Sequence, residues 1–248
     1  MIAAINAERI KLASTRSPYW CLGVVVVLGL GIAVLLGAVA GTSYGSPGEA
    51  DTLTGDFLIG VDQFGVAVLA IMAILGVTTE YRFGTIRPTF AAIPRRPRVL
   101  IAKAVVFGGL SFAVVAILCV VAVVVAQMLS GVGVSLTGSE TVRHLWGTPV
   151  FAMLCALIGL AVGALVRHSA GAVAIMLVWM LALERIVSVL PRVGEHIVSF
   201  LPFLNGWNFL AGGSDTFHWN AYGSLLYFAA FTFVLLAAAV AVTNARDA

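Results

Sequence analysis

Six long apolar runs constrain the fold of this chain more than any other feature of its sequence. Each run is close to, or longer than, the roughly 20 residues that a helix needs to cross a membrane. Only 10% of the 248 residues are charged, whereas soluble domains average about 25%. We therefore predict an all-α polytopic membrane protein. Its six spanning helices are expected at Tyr19–Val39, Phe57–Val77, Leu100–Leu129, Pro149–Val166, Ala170–Leu190 and Ala221–Val242.

The basic residues are distributed unevenly between the two sides of such a protein. If the N-terminus is cytoplasmic, only Arg143, Arg185 and Arg192 of the 14 lysines and arginines fall on the outer side. The positive-inside rule therefore predicts that both termini are cytoplasmic. This topology accounts for the net charge of +3, so we expect no nucleic-acid partner. The basic pI and the short spans are typical of a bacterial plasma-membrane protein.

Two segments outside the predicted spans carry apolar residues of their own. Residues 1–18 are expected to form a short helix that lies on the inner membrane face. Residues 191–220 contain apolar pieces too short to span, interrupted by Pro202 and Gly206. Such pieces favour re-entrant helices packed against protein, with a surface loop as the alternative.

The sequence lacks the common motifs of catalysis and cofactor binding. It contains no GxxxxGK[ST] phosphate-binding loop, HExxH, CxxC or GxSxG pattern. The three cysteines lie in apolar runs, and the four histidines are far apart. We therefore expect no catalytic residue, metal site or cofactor in this chain. Glycine pairs of the GxxxG type, which allow close helix packing, occur at Gly37 and Gly41 and at Gly159 and Gly163.

Charges inside the apolar runs are few. Asp62 lies five residues after Phe57, and Arg185 lies five residues before Leu190. At a rise of 1.5 Å per residue, both are about 7–8 Å from the outer ends of their helices. An ion pair between the second and fifth spans follows as a hypothesis, and the alternative is that each side chain reaches the outer interface alone.

The segment from residue 78 to residue 99 concentrates positive charge in one loop. Arg82, Arg87, Arg95, Arg96, Arg98 and Lys103 lie in or beside it. Membrane topology explains the sign of these charges, but it does not require the turn-forming residues Gly84, Pro88 and Pro94. The positions of these residues predict a short helix of about two turns that begins near Arg87 and ends near Ala92.

The stretch TTEYRFGTIRPTFAAIPRRPRVLIAKAVV resembles the cytoplasmic loop of ABC-2 type permeases, the membrane subunits of ABC exporters. In that family an E-x-R-x-G-T-[IL]-R-like segment follows the second span. The matching residues here are Glu80, Arg82, Gly84, Thr85, Ile86 and Arg87. An N-terminal interfacial helix, six spans and two re-entrant helices before the last span also match the layout of the family. A large extracellular domain and a fused ATPase have no counterpart in this sequence.

The resemblance implies a single transmembrane permease domain over residues 1–248, with no enzymatic activity of its own. Two such permeases, identical or different, would pair in the membrane, and separate ATPase subunits would supply ATP and Mg²⁺ binding. A coupling helix in the basic loop would dock on the ATPase through Thr85, Ile86, Arg87, Thr89 and Phe90. Supporting roles in the loop would fall to Glu80, Arg82 and Gly84. Glu80 is expected to form a cap or an ion pair near the membrane face, and a local pair with Arg82 is the simplest alternative.

The substrate is expected to be apolar or amphipathic, such as a drug, a peptide or a lipid. The pathway would be lined by the first, second and fifth spans, where Phe64, Met72, Met176 and Met180 are available. Trp179 faces the pathway or fills the core. Efflux and multidrug resistance are the corresponding physiological expectations. Two other functions stay open, an ion-coupled secondary transporter and an intramembrane lipid-modifying enzyme, although the acidic or clustered polar residues that they need at one depth are lacking.

Overall fold

A computed structural model describes residues 1–43, 53–85, 97–131, 138–190 and 194–246. These residues form helices and turns, and no strand occurs among them. Six helices are long and apolar enough to cross a membrane. The all-α fold with six spans is thereby confirmed. We name them span 1 to span 6 in the order Arg16–Ala40, Gly60–Arg82, Pro97–Ser130, Ser139–Val166, Ser169–Val189 and Ala221–Ala245.

Several helices extend well beyond the apolar runs that predict them. The helix of span 1 continues to Ser43, and that of span 6 ends at Arg246. Span 4 begins ten residues before its predicted start, so that Pro149 lies inside the helix. Hydropathy marks only the part of a helix that lies in hydrocarbon, whereas the helix itself can continue into the polar interface. The predicted spans are therefore shorter than the observed helices at these positions.

Two spans contain a π-helical segment that the sequence does not predict. Span 2 begins with the π-helical turn Gly60–Gly65 and continues as the α-helix Val66–Arg82. Span 5 consists of the α-helix Ser169–Leu177, the π-helical turn Val178–Leu183 and the α-helix Glu184–Val189. An extra residue per turn changes the direction in which side chains point, and such turns occur frequently at functional sites. Asp62 lies in the first of them, and Glu184 directly follows the second.

Shorter helices lie outside the spans. The N-terminal helix Ile2–Ser14 is separated from span 1 by the extended residue Thr15. A five-residue helix, Leu53–Phe57, precedes span 2. Between spans 5 and 6 lie the helix Gly194–Ile197, the 3₁₀ turn Val198–Phe200 and the helix Pro202–Leu210. Pro202 suits the first turn of its helix because the missing N–H would have no partner there.

Spans 2 and 4 form the centre of the core, whereas at most 22% of the residues in the most apolar stretches of spans 1, 5 and 6 are buried. The predicted glycine pair in span 4 explains its close packing against span 2. A Cβ atom at Gly159 would lie 2.6 Å from the carbonyl oxygen of Ala70, and one at Gly163 would lie 3.2 Å from that of Ile74. Only glycine permits this approach of two backbones. Gly37 packs in the same way against Ala126 of span 3.

Candidate functional site

The basic loop leaves span 2 through a turn that glycine makes possible. After Arg82 the chain turns at Phe83, Gly84 and Thr85, and span 3 begins at Pro97. Gly84 has a φ of +70°, which is in the left-handed region. Helices commonly end at a glycine in this conformation, because a residue with a Cβ atom is strained there. We call the end of the molecule where residues 83–96 connect spans 2 and 3 the loop end.

Four charged side chains meet at the loop end, and we call them the charged cluster: Glu8, Lys11, Glu80 and Lys103. The Nζ atom of Lys103 donates to Glu8 Oε2 at 2.6 Å and to Glu80 Oε1 at 2.8 Å. It also donates to the carbonyl oxygen of Gly76 at 3.2 Å. Lys11 Nζ donates to Glu8 Oε1 at 3.0 Å and to Glu80 Oε1 at 3.1 Å. Each lysine therefore bridges the same two carboxylates.

The cluster is largely removed from solvent. The side chain of Lys103 is 3% exposed, those of Glu8 and Glu80 are 5% and 11% exposed, and only Lys11 is substantially exposed at 41%. A buried ion loses its hydration and needs several close partners in compensation. Partial burial works against the charged form of Lys11, but Glu8 and Glu80 outweigh it and raise the pKa of Lys11 above its ordinary value. The lysine therefore stays protonated and keeps both carboxylates bridged.

The charged cluster joins three elements that are distant in sequence. Glu80 lies in the last turn before the basic loop, Lys103 lies in the second turn after it, and Glu8 belongs to the N-terminal helix. Both ends of the loop are thereby fixed to one another and to the N-terminal helix. A displacement of the loop must move these elements together or break buried ion pairs.

Two further contacts tie the loop end of span 2 to the turn between spans 4 and 5. Ser169 Oγ donates to Thr78 Oγ1 at 2.9 Å. The guanidinium of Arg167 lies over the ring of Tyr81, 4.8 Å from its centroid. Arg167 itself has a φ of 59°, an uncommon conformation for a residue with a side chain. Through these contacts the end of span 2 reaches span 5 as well as span 3.

The predicted pair of Glu80 with a basic residue exists, but the partner is not Arg82. Glu80 pairs with Lys103 and Lys11, whereas the guanidinium of Arg82 lies 5.4 Å from the ring centroid of Phe83. Side chains two positions apart on a helix do not face each other, which explains why Glu80 and Arg82 separate.

Of the five predicted docking residues, only Thr85 is among the described ones. Its Oγ1 atom donates to the carbonyl oxygen of Glu80 over a long 3.5 Å. Ile86, Arg87, Thr89 and Phe90 lie outside the described residues, as does the whole of the short helix predicted from Arg87 to Ala92.

Sequence reasoning missed the roles of Glu8 and Lys103. Lys103 was grouped with the basic loop, although it follows the predicted start of span 3 and interrupts an apolar run. A charge in that position requires a buried partner of opposite sign. That signal calls for an acidic partner, and Glu80 is the acidic residue nearest to Lys103 in sequence, whereas Glu8 lies 95 positions away and carries no such signal.

The predicted ion pair of Asp62 with Arg185 is not among the ion pairs of the described residues. Asp62 is buried, and no hydrogen-bond partner satisfies its Oδ1 atom. Arg185 is exposed, and its guanidinium lies 5.7 Å from the ring centroid of Trp207, where the ring face attracts a cation. The prediction used only the depth of each residue along its helix, which does not fix the direction of a side chain around the helix axis, and both helices contain a π-helical turn near these residues.

Glu184, next to Arg185, has a defined structural role. It is buried, and its Oε2 atom accepts from the backbone N–H of Leu204 at 2.8 Å. Leu204 lies in the first turn of the helix Pro202–Leu210, where backbone N–H groups lack partners within the helix. Glu184 therefore fixes this helix to span 5. Trp179 strengthens the contact through edge-on packing against Phe203, and its ring also packs edge-on against Phe231 of span 6.

Three of the four predicted pathway residues are not on the surface of the chain. Met72, Met176 and Met180 are at most 2% exposed and belong to the apolar core. Phe64 is 48% exposed. The spans are packed so that the flexible methionines fill the interior. The surface of span 5 instead carries a shallow apolar hollow of roughly 500 Å³, lined by Ala174, Ile175, Val178, Trp179 and Leu183.

Residues 4–183 of the chain match the family described as "ABC-2 family transporter protein". The matched segment begins in the N-terminal helix and ends with the π-helical turn of span 5. It therefore contains the whole charged cluster and the basic loop. No curated protein sequence matches the chain.

Proposed function

Because this chain belongs to the ABC-2 family of transporter proteins, we propose that it is the permease subunit of an ATP-driven exporter. The six apolar helices suit the membrane part of such a transporter. The sequence contains no phosphate-binding loop of the GxxxxGK[ST] type. ATP and Mg²⁺ would therefore be bound by a separate ABC ATPase subunit.

The charged cluster is the observation that carries this proposal. A permease that does not bind ATP must receive mechanical work from its partner through a firm contact. The basic loop is the most positively charged segment of the chain, and Lys103 holds both of its ends to the same two carboxylates. A push on the loop is therefore transmitted to spans 2 and 3 and to the N-terminal helix. The contacts of Thr78 and Tyr81 extend the same motion to span 5.

The ATPase would dock on the loop from the cytoplasm. In this arrangement Thr85, Ile86, Arg87, Thr89 and Phe90 form the contact surface, and the loop end faces the cytoplasm together with both termini. Arginine pairs readily with carboxylates of a partner, and Ile86 and Phe90 supply apolar contacts beside it. The location in a bacterial plasma membrane belongs to this proposal, because the basic residues are concentrated at the loop end.

A second permease, either another copy or a paralogue, would complete the pathway. Few residues of spans 1 and 5 are buried within a single chain, and both spans carry exposed apolar side chains. The hollow on span 5 and the exposed ring of Phe64 give the pathway an apolar wall. Such a wall suits drugs, peptides or lipid-like compounds, and efflux of such compounds is the activity that we propose.

Reconstitution with an ABC ATPase subunit that co-purifies with this chain tests the proposal. Both proteins are placed in proteoliposomes, and export of an apolar fluorescent compound is followed with and without ATP. We expect export to require ATP and to stop when the Walker A lysine of the ATPase is replaced. Export driven by an imposed proton or sodium gradient without ATP would instead indicate an ion-coupled transporter.

A further inference from the structure

A crevice of roughly 780 Å³ lies between the N-terminal helix, the beginning of span 1 and span 3. It is separate from the charged cluster, although both lie against the N-terminal helix. Volumes of about 300–1,000 Å³ are typical of sites for small molecules. The crevice is therefore large enough to hold a substantial part of one ligand.

The walls of the crevice are mostly apolar. Ile10 and Leu22 contribute from the N-terminal helix and span 1, and Val105, Gly109 and Leu110 contribute from span 3. The residues from span 3 follow Lys103 by two to seven positions, which places them about 3–10 Å further along the helix. The crevice thus begins near the depth of the charged cluster and continues beside the apolar part of span 3. A hydrocarbon chain would match these walls.

The rim of the crevice carries an uncompensated positive charge. Arg9 and Asn6 line it from the N-terminal helix, and both side chains are exposed. Within the described part of the chain, Arg9 has neither an ion-pair nor a hydrogen-bond partner. The neighbouring acid, Glu8, is engaged by Lys11 and Lys103. Arg9 is therefore free to bind an anion at the mouth of an apolar crevice.

We propose that the crevice binds a glycerophospholipid with an anionic headgroup. An acyl chain would lie along the apolar walls, and the phosphate would accept hydrogen bonds from Arg9 and Asn6. Guanidinium groups bind phosphate through two parallel hydrogen bonds, and basic pockets beside membrane helices hold anionic lipids. A soluble phosphate would leave the apolar walls unused, and a zwitterionic lipid would leave the net charge of Arg9 uncompensated.

Such a lipid would act as a structural ligand. It would lie between the N-terminal helix and spans 1 and 3, and so would hold the helix that carries Glu8. This inference does not depend on the proposed transport function, since it concerns only the packing of the N-terminal helix on the membrane domain.

Native mass spectrometry of the purified full-length chain tests the proposal. The protein is incubated with dioleoyl phosphatidylglycerol or dioleoyl phosphatidylcholine, and retained lipids are counted under increasing collisional activation. We expect one phosphatidylglycerol per chain to be retained more strongly than phosphatidylcholine. Arg9→Gln should weaken this retention about fivefold, since one basic residue near a membrane contributes about 1 kcal/mol to binding of anionic lipid.

Two matched controls accompany the variants. Arg16→Gln removes another exposed arginine that does not line the crevice, and its lipid retention should match that of the unmodified chain. Gly109→Leu fills the crevice, because a Cβ atom at Gly109 meets no atom within 4 Å, and should abolish retention of both lipids. Gly31→Leu adds the same side chain in equally open space on span 1, away from the crevice, and should have no effect.

Several outcomes would overturn the proposal. Equal retention of the two lipids by the unmodified chain would mean that charge does not select the ligand. Unchanged retention in Gly109→Leu would mean that the lipid binds elsewhere. Normal retention of phosphatidylglycerol by Arg9→Gln would mean that Arg9 does not hold the lipid headgroup.

Discussion

Lys103 carries a positive charge within an otherwise apolar stretch of the helix of span 3. Its ammonium group is acceptable there because two carboxylates and a backbone carbonyl surround it. Removing one member of a buried ion pair leaves the other charges without compensation, at a cost of about 3–5 kcal/mol. The stability of the loop end therefore depends on this single side chain.

Replacing Lys103 by methionine tests this dependence. We expect Lys103→Met to lower the free energy of unfolding by about 3–5 kcal/mol, since Glu8 and Glu80 would face each other with less positive charge between them. Lys11→Met is the matched control, because Lys11 bridges the same carboxylates but is 41% exposed, and it should cost less than about 1 kcal/mol. Thermal unfolding in detergent measures both. Equal losses of stability in the two variants would mean that burial does not distinguish Lys103 from Lys11.

Arg87 belongs to the proposed docking surface and should affect coupling rather than folding. In Arg87→Glu a like charge would face the acidic partner group on the ATPase, and such contacts cost several kcal/mol. We expect ATP hydrolysis to continue while export falls about tenfold or more. Arg98→Glu makes the same change of charge at an exposed position in the first turn of span 3 and should retain export. Normal export by Arg87→Glu in proteoliposomes would refute its docking role.

The two π-helical turns give spans 2 and 5 features that ordinary helices lack. A buried acidic residue accompanies each turn: Asp62 lies within the first, and Glu184 directly follows the second. Glu184 uses its position to bind the backbone of the helix Pro202–Leu210. The segment between spans 5 and 6 is thereby attached to a span that borders the proposed pathway.

Removing the carboxylate of Glu184 should loosen that helix. In Glu184→Leu the N–H of Leu204 loses its acceptor in a buried place, which costs about 1–3 kcal/mol. We expect faster amide hydrogen exchange in residues 203–210, with little change in span 4. Glu184→Gln keeps an acceptor oxygen and should exchange nearly as slowly as the unmodified chain. Unchanged exchange in Glu184→Leu would show that packing alone holds the helix.

At the scale of the whole molecule, the apolar surface is divided unequally among the spans. Spans 2 and 4 are enclosed, and spans 1, 5 and 6 expose apolar faces. Lipid can cover all of these faces, but the hollow on span 5 offers a shaped surface for another protein chain. Our proposal of two permeases places this surface at the contact between them.

Cysteine crosslinking in native membranes tests that arrangement in a Cys21→Ser background. The two remaining cysteines, Cys119 and Cys155, are buried. We expect Ile175→Cys to form a disulfide-linked dimer on mild oxidation, because it lines the hollow on span 5. Val234→Cys on the exposed surface of span 6 should stay monomeric. The reverse result would place span 6 between the two chains, and no crosslink from Ile175→Cys would contradict a pair of identical chains joined through span 5.

Several residues of the candidate site were predictable from the sequence, but the side chains with which they pair were not. Glu80 and Gly84 were singled out from the loop motif, and the structure gives each a physical role, as a member of the charged cluster and as the end of a helix. Lys103 was assigned only to a basic loop, because its carboxylate partners lie 23 and 95 positions away along the chain. Pairing over such separations is decided by packing and cannot be inferred from spacing.

The amino-acid sequence by itself determined the class of this protein, its six spans and its family. These properties depend on the hydropathy of each segment and on a local motif, and both are carried by consecutive residues. Only the tertiary structure decided which charges meet, that Arg185 lies over Trp207 instead of beside Asp62, and that three methionines fill the core. Those outcomes depend on the direction of each side chain around its helix, which π-helical turns and glycine contacts change without any trace in hydropathy.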